Sequence, residues 1–229
     1  MTGSRFVGHG IMSCHAEQSE ASVPWGNRVL QAAAFRMTLT KCYAILLVAI
    51  GLGRLVELRR SRVNQRALAA RGIPMAPEPR FRWMVALHTG VLLSSGLEVW
   101  LSKRPPHREL AISMGAIVVG SNLLRWWVIR TLGAHWNVRV MDSVRLGVVS
   151  DGPFRWIRHP NYVAVFLELE AVPLLHGAWV TALVGGLLHL WVLGRRLAVE
   201  DPLLLADPAY QSAMAWKPRF VPSPFARRS

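Results

Sequence analysis

Cysteine is nearly absent from this chain. Cys14 and Cys42 are the whole supply. Two residues so placed make neither a disulfide framework nor a metal-ligand spacing. Acidic residues are also scarce, with 13 Asp and Glu against 27 Lys and Arg, so the net charge is +14. In a soluble protein that imbalance would point to nucleic acid, but no RNA-binding or DNA-binding motif accompanies it. Internal repeats and low-complexity tracts are missing too. The first apolar run is not followed by an A-x-A-like cleavage site, which favours a retained helix over a removed signal peptide.

What the chain has instead is apolar residues gathered into runs. Hydrophobic residues make up 52% and charged residues 17% of the 229 positions. One domain fits that length. The pattern predicts an all-α fold, a polytopic membrane helix bundle of about five transmembrane helices. The arginines border the apolar runs, which suits attraction to anionic lipid head groups and the positive-inside rule.

Residues 1–36 are polar, without clean periodicity, and are expected to be a poorly ordered extension before a membrane-embedded domain over 37–229. Spans are predicted near 38–58, 83–101, 110–129, 162–175 and 178–200. The first has a short apolar core, with Arg54 and Glu57 three apart on one face and able to pair. Residues 59–82 are expected to be a basic loop, because Gly72, Pro74, Pro77 and Pro79 rule out one continuous helix. His88 and Glu98 interrupt the second span as bundle-interior polar groups. The third ends in Arg125, Trp126 and Trp127, an interfacial belt. A long polar loop follows over 130–161, expected on the cytoplasmic side together with 59–82, which puts the N-terminus outside.

Residues 161–200 are too long for one span, and Pro173 with His176-Gly177 divides them into a helical hairpin. The first arm is short, roughly 21 Å at 1.5 Å per residue. Both ends of the hairpin return to one face. Glu168 and Glu170 lie inside the first arm, where a charge is costly unless paired. Two apart, they cannot share a face. Glu168 is expected to point inward, with Arg125 or His135 as partner. Residues 202–229 form a polar tail able to close over the site as an interfacial segment.

The most informative stretch is Gly152-Pro153-Phe154-Arg155-Trp156-Ile157-Arg158-His159-Pro160-Asn161-Tyr162. Gly152-Pro153 is a turn signal. Pro160 suits the first turn of a helix. Arg158, His159 and Tyr162 then gather at a helix N-terminus, where free N–H groups and the dipole favour an anion. Spacing alone favours a plainer reading, a basic juxtamembrane turn with interfacial aromatics.

This stretch resembles the glycine-aromatic-RHPxY motif of the isoprenylcysteine carboxyl methyltransferase family, integral-membrane enzymes that use S-adenosylmethionine. Leu124-Arg125-Trp126-Trp127 through Leu132-Gly133-Ala134-His135-Trp136 resembles the family too. So does Arg196-Leu197-Ala198-Val199-Glu200-Asp201, which looks like its RxxxEE. The resemblance covers about 38–220, and its specific part is 124–201. It implies a cofactor site, with S-adenosyl-L-methionine held by Arg158, His159, Pro160, Tyr162 and Glu200. It implies Arg196 and Glu200 as catalytic residues, Arg196 neutralising an acceptor carboxylate. Arg158 is expected to pair with Glu200 or to hold the loop. No metal is implied. The partners are a lipidic or prenylated acceptor and membrane lipids, not nucleic acid, and the site is expected on the cytoplasmic face.

The chain departs from the family at two places. Ala164 stands where a glycine is usual. Asp201 replaces the second Glu and precedes Pro202, which biases it away from helix, so the last helix is expected to end near Glu200. Three alternatives stay open on the sequence. One is an NADPH-dependent membrane reductase of the sterol-reductase type, and another a phospholipid N-methyltransferase. The third is a non-enzymatic scaffold. Met37 opens the regular segment and is a candidate translation start. N-terminal sequencing of the native protein is expected to read from Met37, and a start at Met1 would reject this.

Overall fold

The computed structural model describes residues 25–73, 81–139 and 147–222. Six α-helices lie among them: α1 Trp25–Ala69, α2 Phe81–Ser102, α3 Arg108–Leu132, α4 Pro160–Leu175, α5 Trp179–Leu205 and α6 Pro208–Met214. The chain divides into two units, Met1–Cys42 and Tyr43–Ser229. The bundle and its site are described within the second. Four segments are long and apolar enough to cross a membrane: Ala33–Ala69, Phe81–Ser102, Arg108–His135 and Trp179–Leu205. α4 has 16 residues, about 24 Å, against a hydrocarbon core of roughly 30 Å. It is the short arm of the hairpin, turned at His176 and Gly177, the latter at φ +76°.

Two boundaries differ from the sequence expectation. Residues 25–36, expected in the polar extension, are helical, while 1–24 lie outside the described residues. The basic stretch expected as a loop from residue 59 is helical to Ala69. The chain leaves the helix only at the Gly72 turn, φ +73°. The reason is tertiary. Asn64 Nδ2 donates to Gly133 O (3.1 Å) and Trp136 O (2.7 Å), and the Val138 N–H donates to Ser61 Oγ at 2.9 Å. These bonds need Ser61 and Asn64 on one helical face.

α3 and α4 pack most extensively against each other. Tyr43 OH donates to Val172 O at 3.0 Å, tying α1 to α4. Glu98 caps the α5 N-terminus, accepting from Val180 N (3.1 Å), Thr181 N (2.8 Å) and Thr181 Oγ1 (2.7 Å). Its place on α2 is therefore explained by the orphan donors of a helix start.

Inside the bundle four charges form a closed set. Arg54 Nη1 lies 2.8 Å from Glu57, the pair its spacing predicts. Arg125 donates to both Glu57 oxygens, its Nε bond being 2.7 Å. Glu168 faces inward as expected, but its partner is Arg54, not Arg125 or His135. His135 is directed instead to the carbonyls of Leu132 and Gly147. Arg125 was taken by Glu57 because α1 reaches it at the depth of the α3 C-terminal turns. Two arginines and two glutamates thus balance within an apolar bundle. Removing one member strands the others. Glu57→Ala is expected to cost ~3–5 kcal/mol, read as a large drop in thermal midpoint in detergent. The Glu57→Leu/Arg125→Met double variant is expected to recover most of that loss, since Arg54 keeps Glu168.

Candidate functional site

The motif stretch begins with a 3-10 turn, Gly152–Arg155. Gly152 has φ +55°, and a Cβ there would stand 2.5 Å from Thr131 Oγ1 on α3. Only glycine lets the loop lie so close to α3. Phe154 then enters the core made by Val128, Ile129, Trp136, Tyr210 and Met214. Pro160 opens α4 at its first position, as its missing N–H and fixed φ require.

The loop is held from the other side by the C-terminal segment. Arg158 N donates to Pro218 O (2.9 Å) and His159 N to Arg219 O (3.0 Å). Lys217 Nζ donates to Phe154 O at 2.7 Å. The tail therefore supplies backbone partners that the loop cannot find within itself.

The start of α4 and the end of α5 meet here. His159 Nε2 donates to Asp201 Oδ1 at 2.7 Å. Asp201 Oδ2 accepts from Arg219 Nε at 2.8 Å, and Arg158 Nη1 stands 3.9 Å from Oδ1. Tyr162 OH donates to Glu200 Oε2. Arg196 Nε donates to Tyr162 OH at 2.5 Å and lies 3.4 Å from Glu200 Oε2, while its Nη2 donates to Val138 O at 2.6 Å. His159 stacks on the Tyr162 ring, centroids 5.3 Å apart.

Two sequence expectations are corrected. Arg158 faces Asp201 and not Glu200. The last helix does not end near Glu200 but continues through Pro202 to Leu205. Arg158, His159 and Arg219 around Asp201 hold its carboxylate buried in helical register, against the local bias of the following proline.

Two cavities flank this network. A polar one of about 140 Å³ is lined by Arg158, His159, Tyr162, Glu200 and Tyr210 among others. Burial pushes the Tyr210 phenol well above its ordinary range, partly offset by Arg158, so it stays neutral. An apolar one of about 680 Å³ lies between α1, α2 and α5. Trp136, Asn137, Asn161, Tyr162 and Arg196 border both. Trp136, Asn137, Asn161 and Tyr210 were not singled out as site residues by sequence reasoning. Trp136 and Asn161 lay within quoted motifs, so adjacency was the available signal. Tyr210 carried none.

Several buried polar atoms at the polar cavity have no partner among the described residues: Arg158 Nε, Asn161 Oδ1, Asn137 Oδ1 and Trp136 Nε1. One acceptor pair and two donors, left unpaired together, suit a zwitterionic ligand with ammonium and carboxylate groups. The volume is below the roughly 300 Å³ of ordinary ligand pockets, so the fit rests on the donor and acceptor set.

Residues 112–206 match the profile of the isoprenylcysteine carboxyl methyltransferase (ICMT) family. That stretch is similar to this family. The matched stretch contains Arg158, His159, Tyr162, Arg196 and Glu200, and it ends one residue past the α5 helix. The chain is also similar to a Bacillus subtilis (strain 168) protein named "Uncharacterized protein YpbQ". The two are 28% identical over 160 residues, which span 70% of this chain and 95% of that protein. The family match over 112–206 and the four apolar helices among the described residues together support a membrane protein with a methyltransferase-family region.

The Asp201 cluster yields a graded expectation. Asp201→Asn weakens charge-assisted bonds to two groups, at a cost of ~1–3 kcal/mol. Arg219 is 54% exposed on its side chain, so Arg219→Ala costs below ~1 kcal/mol. Thermal unfolding in detergent should show that order. Equal losses would mean the tail, not His159, carries the effect.

Proposed function

We propose that this chain is an S-adenosylmethionine-dependent methyltransferase that O-methylates a carboxylate on an isoprenylcysteine-like or other lipidic acceptor. The unit doing so is residues 37–229, with its site on the cytoplasmic face of the membrane. One observation carries the reading. The polar and the apolar cavity share the wall made by Asn161, Tyr162 and Arg196. A polar cofactor and a lipidic acceptor can each enter from its own phase and meet there.

When bound, the cofactor supplies a methyl group activated on a sulfonium. The chain's residues supply the rest. Arg158 would donate to the cofactor carboxylate, and Asn161 and Asn137 would accept from its ammonium or hydroxyls, once their buried Nε and Oδ1 atoms turn toward the ligand. His159 acts through Asp201 and Tyr162 as a positioning group, because its Nε2 is already spent on Asp201. Pro160 sets the turn that aims Tyr162. Glu200 fixes the Tyr162 hydroxyl, which in turn orients the Arg196 guanidinium.

Arg196 borders both cavities, and its guanidinium would take the acceptor carboxylate as a planar pair of donors by exchanging its present contacts with Val138 O and Met84 Sδ. A carboxylate is ionised at neutral pH, so it needs no general base. Catalysis is then a matter of positioning the nucleophile and excluding water. The apolar walls do the second.

The test is binding of radiolabelled S-adenosylmethionine to the detergent-purified protein. Saturable binding is expected, weakened about ten- to hundredfold in Arg158→Ala, the size of a lost charged hydrogen bond. His159→Ala should weaken it as well. Arg196→Lys should leave cofactor binding within about threefold and lower methyl transfer, since a lysine cannot make the bidentate contact. NADPH binding in place of S-adenosylmethionine would reject the reading in favour of a reductase.

A further inference from the structure

The polar groups lining the 680 Å³ cavity fall into three sets, and the unpaired atoms of Trp136, Asn137 and Asn161 stand on the wall shared with the polar cavity. Arg54, Glu57 and Arg125 belong to the closed charge set with Glu168. Arg196 is bonded to Tyr162 and Val138. His88 and His189 are different.

His88 Nδ1 lies 2.7 Å from Met84 O on its own helix. A carbonyl only accepts, so Nδ1 carries the hydrogen. The neutral ring then keeps a lone pair on Nε2. That atom has no partner among the described residues and is not among the fully buried unpaired atoms, and the residue lines both the 680 Å³ cavity and a small neighbouring one of about 30 Å³ beside Arg54 and Glu168. Opposite stands His189 from α5, its ring edge-on at 5.7 Å and 80°. It is 4% exposed, and neither of its nitrogens has a partner. One nitrogen of His88 and both nitrogens of His189, left without partners on facing helices, are an expensive arrangement unless a ligand pairs with them.

Their depth is also defined. Met84 Sδ accepts from Arg196 Nη1 at 3.1 Å. His88 lies one turn along α2 from Met84, about 6 Å. The cavity thus offers a cation at its mouth and a hydrogen-bond acceptor one turn further in, before its walls become aliphatic.

We propose that His88 Nε2 reads a hydrogen-bond donor on the acceptor. The substrate class is a long-chain amphiphile whose head carries a hydroxyl or amide N–H within a few bonds of the group held by Arg196. His189 closes the other side of that contact. This inference rests on the reading of the apolar cavity as the acceptor site, but not on methyl transfer taking place there.

The experiment measures binding of radiolabelled 3-hydroxyhexadecanoate and hexadecanoate to the full chain in detergent. The two acids share the carboxylate and the chain and differ in one donor. The hydroxy acid is expected to bind about tenfold tighter, ~1.4 kcal/mol. His88→Asn keeps a donor for Met84 but withdraws the Nε2 acceptor, and it should abolish the preference. His88→Gln, whose amide oxygen reaches the Nε2 position, should retain it. Equal binding of the two acids by the unaltered protein overturns the inference, as does a preference that survives His88→Asn. Binding of neither acid overturns it too. Methyl incorporation is read separately: selective binding without it would reject the methyltransferase reading and leave the His88 assignment standing.

Discussion

A charge inside an apolar bundle must find a partner or lose its charge, and the fold described here is arranged by that demand. Arg54, Glu57, Arg125 and Glu168 come from α1, α3 and α4 and pair with one another, leaving Arg125 Nη1 without a partner among the described residues. The pairing fixes the rotation of three helices about their axes, which aliphatic contacts alone specify loosely. Desolvation makes such a set a modest source of net stability, yet its geometry is unforgiving once formed. α3 and α4 are thereby placed so that the turn after α3 and the start of α4 face each other across the site.

Asp201 plays the corresponding part at the membrane face. It is the point at which α5, the motif loop and the C-terminal segment converge. Its carboxylate orients His159, which stacks on Tyr162, which bridges Glu200 and Arg196. The line of contacts runs from a structural anion to the guanidinium that borders both cavities. Reactive geometry at this site therefore depends on residues that need touch neither cofactor nor acceptor. The tail contributes backbone carbonyls at Pro218 and Arg219, so a segment beyond the family match takes part in holding the family motif.

The apolar cavity adds a second level of selectivity. Aliphatic walls discriminate poorly between chains of similar length, whereas a hydrogen-bonding group that must be satisfied discriminates strongly. His88 and His189 supply such groups below Arg196.

The all-helical class and the apolar segments that build it were legible in the chain by itself, although six helices lie among the described residues where about five were expected. Apolar runs and proline or glycine breaks are local signals, and RHPNY and RLAVED lie next to them. The Arg54–Glu57 pair was legible for the same reason, being three residues apart on one helix. Tertiary structure decided the rest. Whether Glu168 meets Arg125 or Arg54 depends on helix rotations that no local pattern encodes. Residues 59–69 stay helical because Ser61 and Asn64 find partners beyond α3, and α5 runs through Pro202 because Asp201 is gripped by His159 and Arg219. Tyr210 joins the site only through the packing of α6. In each case the deciding energy lies in contacts between residues distant in sequence, which outweigh propensities worth at most a few kcal/mol.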